Sequence, residues 1–159
     1  SQNPRFIVRA AGSFKQKPGC SNESIDSLSA KRLDYLCAGE CYNPSNQREV
    51  IEKIEVIKIT PQVYAGEAVS PLIQDPWKSI PCQGKGECIV EFEDQDFLRD
   101  SVYYVRAIQN PTPAINGSPL SQRDNFELCK GSFRTDLEDD CLSMTNERAW
   151  SSPIYIDKP

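Results

Sequence analysis

Histidine is absent from all 159 residues. Catalytic triads, hydrolytic metal sites and proton relays usually rest on imidazole, which titrates near neutral pH and offers a neutral nitrogen ligand. Its absence makes the chain a poor candidate for a self-sufficient enzyme. Methionine is almost absent, Met144 being the only one, so a common soft ligand for copper is scarce as well. No apolar run approaches the ~20 residues that a transmembrane helix needs. Positive charge is in deficit: 18 Lys and Arg stand against 23 Asp and Glu, a net charge of -5. That balance opposes binding to phosphate backbones, which requires clustered cations. Nucleic acid is therefore not expected as a partner, and neither is an anionic membrane. The chain opens at Ser1 without a Met, and it reads as a processed or excised segment from which any signal peptide has been removed.

Cysteine, by contrast, is plentiful, with seven copies, and this usage points to an oxidising compartment, periplasmic or secreted. Cys82 and Cys88 flank a Gly-containing stretch, and Cys129 and Cys141 bracket a polar one. Both pairs read as local staples, each stabilising by about 2–3 kcal/mol in the chain-entropy model. Cys20, Cys37 and Cys41 remain, and three sulfurs cannot all pair with one another. Cys20 is expected to bond either Cys37 or Cys41, leaving one thiol. Cys37-Ala38-Gly39-Glu40-Cys41 also has a chemical reading, as a thiol-redox or soft-metal motif. Redox motifs more often carry two intervening residues, and copper carriers with this spacing add a His or Met. No metal or cofactor is expected.

Composition and length fit one folded domain over residues 1–159, with 38% hydrophobic and 26% charged residues. No boundary interrupts it, although Gln62 to Gly86 could be a long excursion linking two sheet layers. Period-two alternation predicts strands at Arg5–Ala10, Ile54–Ile59, Cys88–Glu93, Val102–Ile108 and Trp150–Ile156. Phe6, Val8 and Ala10 share one face with Ile7 opposite, while Ile54 and Val56, then Ile57 and Ile59, fill both faces of their run. Pro153 lacks an N–H, which predicts an edge strand or a bulge there. One short helix is predicted over Ala30–Cys37, capped by Ser29 and stopped by Gly39.

Two acidic groups, Glu91/Glu93/Asp94/Asp96 and Asp136/Glu138/Asp139/Asp140, lack the residue order of a calcium loop and read as water-facing strand positions and a solvated loop. Paired carboxylates for glycoside hydrolysis need a separation that sequence does not supply. Trp77, Tyr103, Tyr104 and Trp150 read as core packing, with a sugar-stacking platform as the rival. Asn22-Glu23-Ser24 and Asn116-Gly117-Ser118 match the glycosylation acceptor pattern.

The segments Asn3–Ala10, Phe14–Cys20, Gly39–Ser45, Asp100–Gln109, Pro111–Gly117 and Glu147–Asp157 resemble the C-terminal part of a bacterial exported family, domain of unknown function 3604. Its longer members carry an N-terminal metal-dependent domain of the polymerase-and-histidinol-phosphatase type. The resemblance implies a division of labour: the metal ligands belong upstream, and no catalytic residue carries over to these positions. The chain would then be a non-catalytic C-terminal module whose partner is the upstream catalytic domain of the same polypeptide. The loop with Asn110, Thr112 and Asn116 is a candidate to face that neighbour's ligand. An extracellular carbohydrate- or ligand-binding module, and a thiol-redox or metal-handling protein, are the alternatives. The fold expected is a mostly β, immunoglobulin-like sandwich with one short helix and local disulfides, or else an open antiparallel sheet with long loops.

Overall fold

The structure, a computed structural model, describes residues 3–37, 41–115 and 142–158. It is predominantly β and divides into two compact units. The first comprises residues 1–12, 49–110 and 146–159, and the second comprises 13–48 and 111–145.

The first unit is organised by β4 (Ile51–Ile59), which pairs antiparallel with β5 (Ile73–Pro81) on one side and β7 (Ser101–Ile115) on the other. β8 (Leu142–Trp150) continues that sheet, and β9 (Ile154–Ile156) also pairs with β7. A central strand is covered on both faces, so its sequence loses the alternation of a half-exposed one. Accordingly Ile54, Val56 and Ile57 are wholly buried, on opposite faces of β4. A second, two-stranded sheet joins β1 (Arg5–Ala11) to β6 (Glu87–Glu93) with Phe6 opposite Phe92 and Val8 opposite Val90. Alternation turns Phe6, Val8 and Ala10 towards the larger sheet, as expected, and leaves Ile7 63% exposed.

Between these layers Ile51, Ile54 and Cys88 form a buried cluster with Val8, Ala10, Cys82, Val90, Val105 and Ala107 against it. At its end Phe6 stacks on Phe92 at 4.9 Å, and Tyr103 and Trp77 complete an aromatic group. Sandwich-like layering and an open larger sheet thus coexist in one unit. Gly12 marks a close approach, because a methyl group there would overlap the Glu49 carbonyl.

Cys82 closes β5 and Cys88 opens β6, with their Cα atoms 5.7 Å apart and their sulfurs at disulfide distance. The bond would hold the two layers together where the chain passes between them. The Cys82→Ala/Cys88→Ala pair is expected to lose about 2–3 kcal/mol of unfolding free energy. Urea denaturation with an unchanged slope checks this.

In the second unit β2 (Phe14–Pro18) pairs antiparallel with β3 (Tyr42–Arg48), and the Arg48 guanidinium lies 4.2 Å from the centroid of the Phe14 ring. Two helices separate these strands in sequence: α1 (Asn22–Ser27) and α2 (Ala30–Cys37). The sequence predicts only α2. Its Ser29 cap is present, the Arg32 amide donating to Ser29 Oγ at 3.3 Å. α1 is one and a half turns long and has no buried residue, so it offers no apolar periodicity. Its signal is Ser21, whose hydroxyl accepts from the Ser24 amide at 3.3 Å. The predicted stop at Gly39 lies outside the described residues.

β9 differs from its predicted extent. β8 ends at Trp150 and β9 begins at Ile154, with Pro153 just ahead of the paired residues, where its missing N–H breaks no ladder bond. The Gln62–Gly86 excursion contains a 3-10 turn at Ser70–Leu72 and the whole of β5. β2 and β3 carry no apolar alternation, and β2 is exposed throughout, which is why propensity does not reveal them.

Candidate functional site

Three sulfurs converge in the second unit. Gly19 ends β2 with φ at +101°, a conformation that favours glycine, and its amide donates to the Cys41 carbonyl at 2.7 Å. Asn43 Nδ2 donates to the Gly19 carbonyl at 2.6 Å. These bonds turn the chain so that Cys20 comes beside Cys41, where β3 begins. Cys37, the last residue of α2, arrives from the other direction. Cys41 is at disulfide distance from both neighbours, with Cα separations of 5.0 Å to Cys20 and 5.1 Å to Cys37. The Cys20 and Cys37 sulfurs are 3.3 Å apart. All three residues are partly accessible. They border a cleft of about 970 Å³ whose other walls include Lys17, Asn22, Ser24, Leu33 and Asn43. Sulfur is the donor type that soft metals and thiol exchange use, and among the described residues these three are the only group of His, Cys, Asp or Glu placed to share an ion.

The first unit holds a different polar centre, which is closed. Lys58 projects from the same face of β4 as Ile54 and Val56, and its ammonium pairs with Asp94 beyond the end of β6. Tyr103 donates its hydroxyl to Asp94 Oδ2 at 2.5 Å, and the Asp96 amide donates to Oδ1 at 3.0 Å. Lys58 Nζ also lies 5.3 Å from the Trp77 ring centroid. Burial on its own would raise the Asp94 pKa, but the Lys58 ammonium and the Tyr103 and Asp96 donors outweigh it and hold the carboxyl below its ordinary value. Tyr103 is pushed up, first by burial and then by the adjacent carboxylate. On the same unit Arg106 joins Glu55 at 2.7 Å to Asp75 at 2.5 Å. Glu55, despite partial burial, is held below its usual value by Lys53 and Arg106.

The acidic group at Glu91–Asp96 is therefore not uniformly solvated. Glu91 faces water as expected, whereas Asp94 has no exposed surface. The sign of its partner was present in the sequence: period two places Lys58 on the buried face of β4. Asp136, Glu138, Asp139 and Asp140 lie outside the described residues, as do Cys129 and Cys141. Tyr103 is buried and Trp77 half-buried in the aromatic group, while Trp150 is 60% exposed. Of the proposed ligand-facing positions, Asn110 is exposed and Thr112 half-buried, both on β7, and Asn116 lies outside the described residues. The Asn110 amide donates to the Val50 carbonyl at 2.9 Å, so its backbone is fixed.

Layered sheets with Cys82 and Cys88 at disulfide distance, and a buried Lys58–Asp94 pair, define a predominantly β protein that also carries a cluster of three cysteines. Residues 78–158 match the model of a family described as a protein of unknown function, DUF3604, and the chain belongs to that family. The match runs from β5 through β9, so Cys20, Cys37 and Cys41 lie outside it. No curated protein and no solved structure matches the chain. Among the described residues no helix is long and apolar enough to cross a membrane.

Proposed function

We propose that the chain is a non-catalytic accessory module of an exported bacterial protein, supporting an upstream metal-dependent domain of the polymerase-and-histidinol-phosphatase type. The observation that carries this reading is the closure of the first unit's polar centre. Asp94, Lys58 and Tyr103 bond one another in the interior, and Glu55, Arg106 and Asp75 form a second linked set. Water activation requires a carboxylate or imidazole with a lone pair free to take a proton. These carboxylates instead stabilise cations that hold strands in register. The lack of histidine supports the same reading. Cysteines at disulfide distance suit an oxidising compartment, periplasmic or extracellular.

The module's contribution would be a sheet whose β7, carrying Asn110 and Thr112, borders the neighbouring active site. The isolated chain, incubated with aryl phosphomonoesters and phosphodiesters plus Mg²⁺, Mn²⁺ or Zn²⁺, is expected to give no turnover above buffer. Hydrolysis that co-purifies with the chain through a second column would refute the reading.

A further inference from the structure

We propose that Cys20, Cys37 and Cys41 are a thiol–disulfide exchange centre, in which Cys41 is shared between two alternative disulfides and the sulfur left over reacts with small disulfides entering the adjoining cleft. This goes beyond the accessory role and does not depend on it. Two observations carry it. The sulfurs of Cys20, Cys37 and Cys41 all lie within 4.8 Å of one another, and because a sulfur bound to carbon forms one further bond, Cys41 can pair with either neighbour but not with both. The chain also has seven cysteines, so pairing within the molecule always leaves one thiol. With Cys82 at disulfide distance from Cys88 and Cys129 paired with Cys141 as the sequence predicts, that thiol falls in this cluster, where the Cys20 and Cys37 sulfurs are 3.3 Å apart.

The internal step needs no oxidant or reductant. With Cys20 and Cys41 bonded, Cys37 gives its proton to water and its thiolate attacks the Cys41 sulfur. A Cys37–Cys41 bond forms as the Cys41–Cys20 bond breaks, and Cys20 departs as a thiolate that takes up a proton. The reverse step is chemically identical. Towards a small disulfide, the unpaired thiolate attacks one sulfur, a mixed disulfide forms, and the other half leaves as a thiolate. The cleft suits a polar molecule of peptide-like chemistry, because Lys17, Asn22 and Glu23 line it with groups of both charges and an amide. A structural zinc site would need a fourth ligand, whereas the cluster supplies three.

The test begins with the native chain, alkylated without reduction, digested and mapped by mass spectrometry. Both the Cys20–Cys41 and the Cys37–Cys41 peptides should appear, with the label divided between Cys37 and Cys20. Oxidised glutathione should add one equivalent to this cluster. Cys20→Ser and Cys37→Ser each leave a single pair, and each should lose that adduct while keeping the far-ultraviolet circular dichroism of the parent. The native map alone decides the matter if a variant misfolds. One disulfide with the same thiol labelled in every molecule would overturn the proposal. So would a cluster wholly blocked by a bond to another cysteine, an adduct that persists in both variants, or zinc bound one to one with protection of all three thiols.

Discussion

Asp94→Ala should remove about 3–5 kcal/mol of unfolding free energy, because it strands a buried ammonium. Lys58 has 6% of its side chain exposed and Asp94 none, so neither charge can recover hydration when its partner is lost. The remaining contacts of Lys58 are weak substitutes: the Asp96 carbonyl at 3.4 Å and the faces of Trp77 and Tyr103. Tyr103 would also lose the acceptor of its hydroxyl. The double variant Lys58→Met/Asp94→Leu should recover most of the loss, since exchanging both members of a buried pair for apolar groups avoids the desolvation that the pair had to overcome. Urea denaturation of Lys58→Met, Asp94→Leu and the double closes the cycle. Equal, additive losses would show that the pair is not coupled.

The same carboxylate sets an acid limb. Its pKa is depressed in the folded protein, so the folded state binds that proton more weakly than the unfolded chain does. The corresponding stability is fully present above the ordinary carboxylate value near ~4 and is lost as pH falls through the lower folded-state value. Asp94→Asn should therefore flatten the stability profile below about pH 4 relative to the parent. A profile unchanged by the substitution would place the acid sensitivity elsewhere.

How far the sequence reveals this architecture depends on where each instruction is written. Strands buried on one or both faces announce themselves, because alternation or a continuous apolar run is itself the packing requirement; β1, β4, β6 and β7 were legible for that reason. β2 and β3 are held by backbone ladder bonds and by Gly19, Asn43 and Arg48, none of which leaves a periodic trace. Seven cysteines disclosed that pairing within the molecule leaves one sulfur over, since parity is a property of composition. Which pair bonds is a property of a fold in which β2, α2 and β3 converge. Lys58 and Asp94 could have been matched: each sits on an inward position of an otherwise apolar strand register, and two buried opposite charges need each other. The Gly12 requirement could not, because it arises from a backbone carbonyl contributed by Glu49.

Ile54→Ala is expected to cost about 2–5 kcal/mol, towards the upper end of that range. Ile54 is wholly inaccessible and stands in the cluster with Ile51 and Cys88. The cost of a large-to-small change depends on whether the surroundings can close over the missing atoms. Here they are restrained from both layers: β4 is paired on either side by β5 and β7, and the opposite wall is tied at Cys82 and Cys88. A cavity between two held sheets stays open, and its lining forfeits dispersion contacts. Ile54→Val should cost about 0.5–1.5 kcal/mol, and Ile54→Ala in the Cys82→Ala/Cys88→Ala background should cost less than in the parent, because the wall can then move inward. Ile7→Ala, on the outer face of the β1 and β6 layer with 63% exposure, is the control and should stay within about 0.5 kcal/mol. Chemical denaturation of the series gives the comparison. An Ile54→Ala loss no larger than that of Ile7→Ala would mean that the two sheets do not share one packed interior.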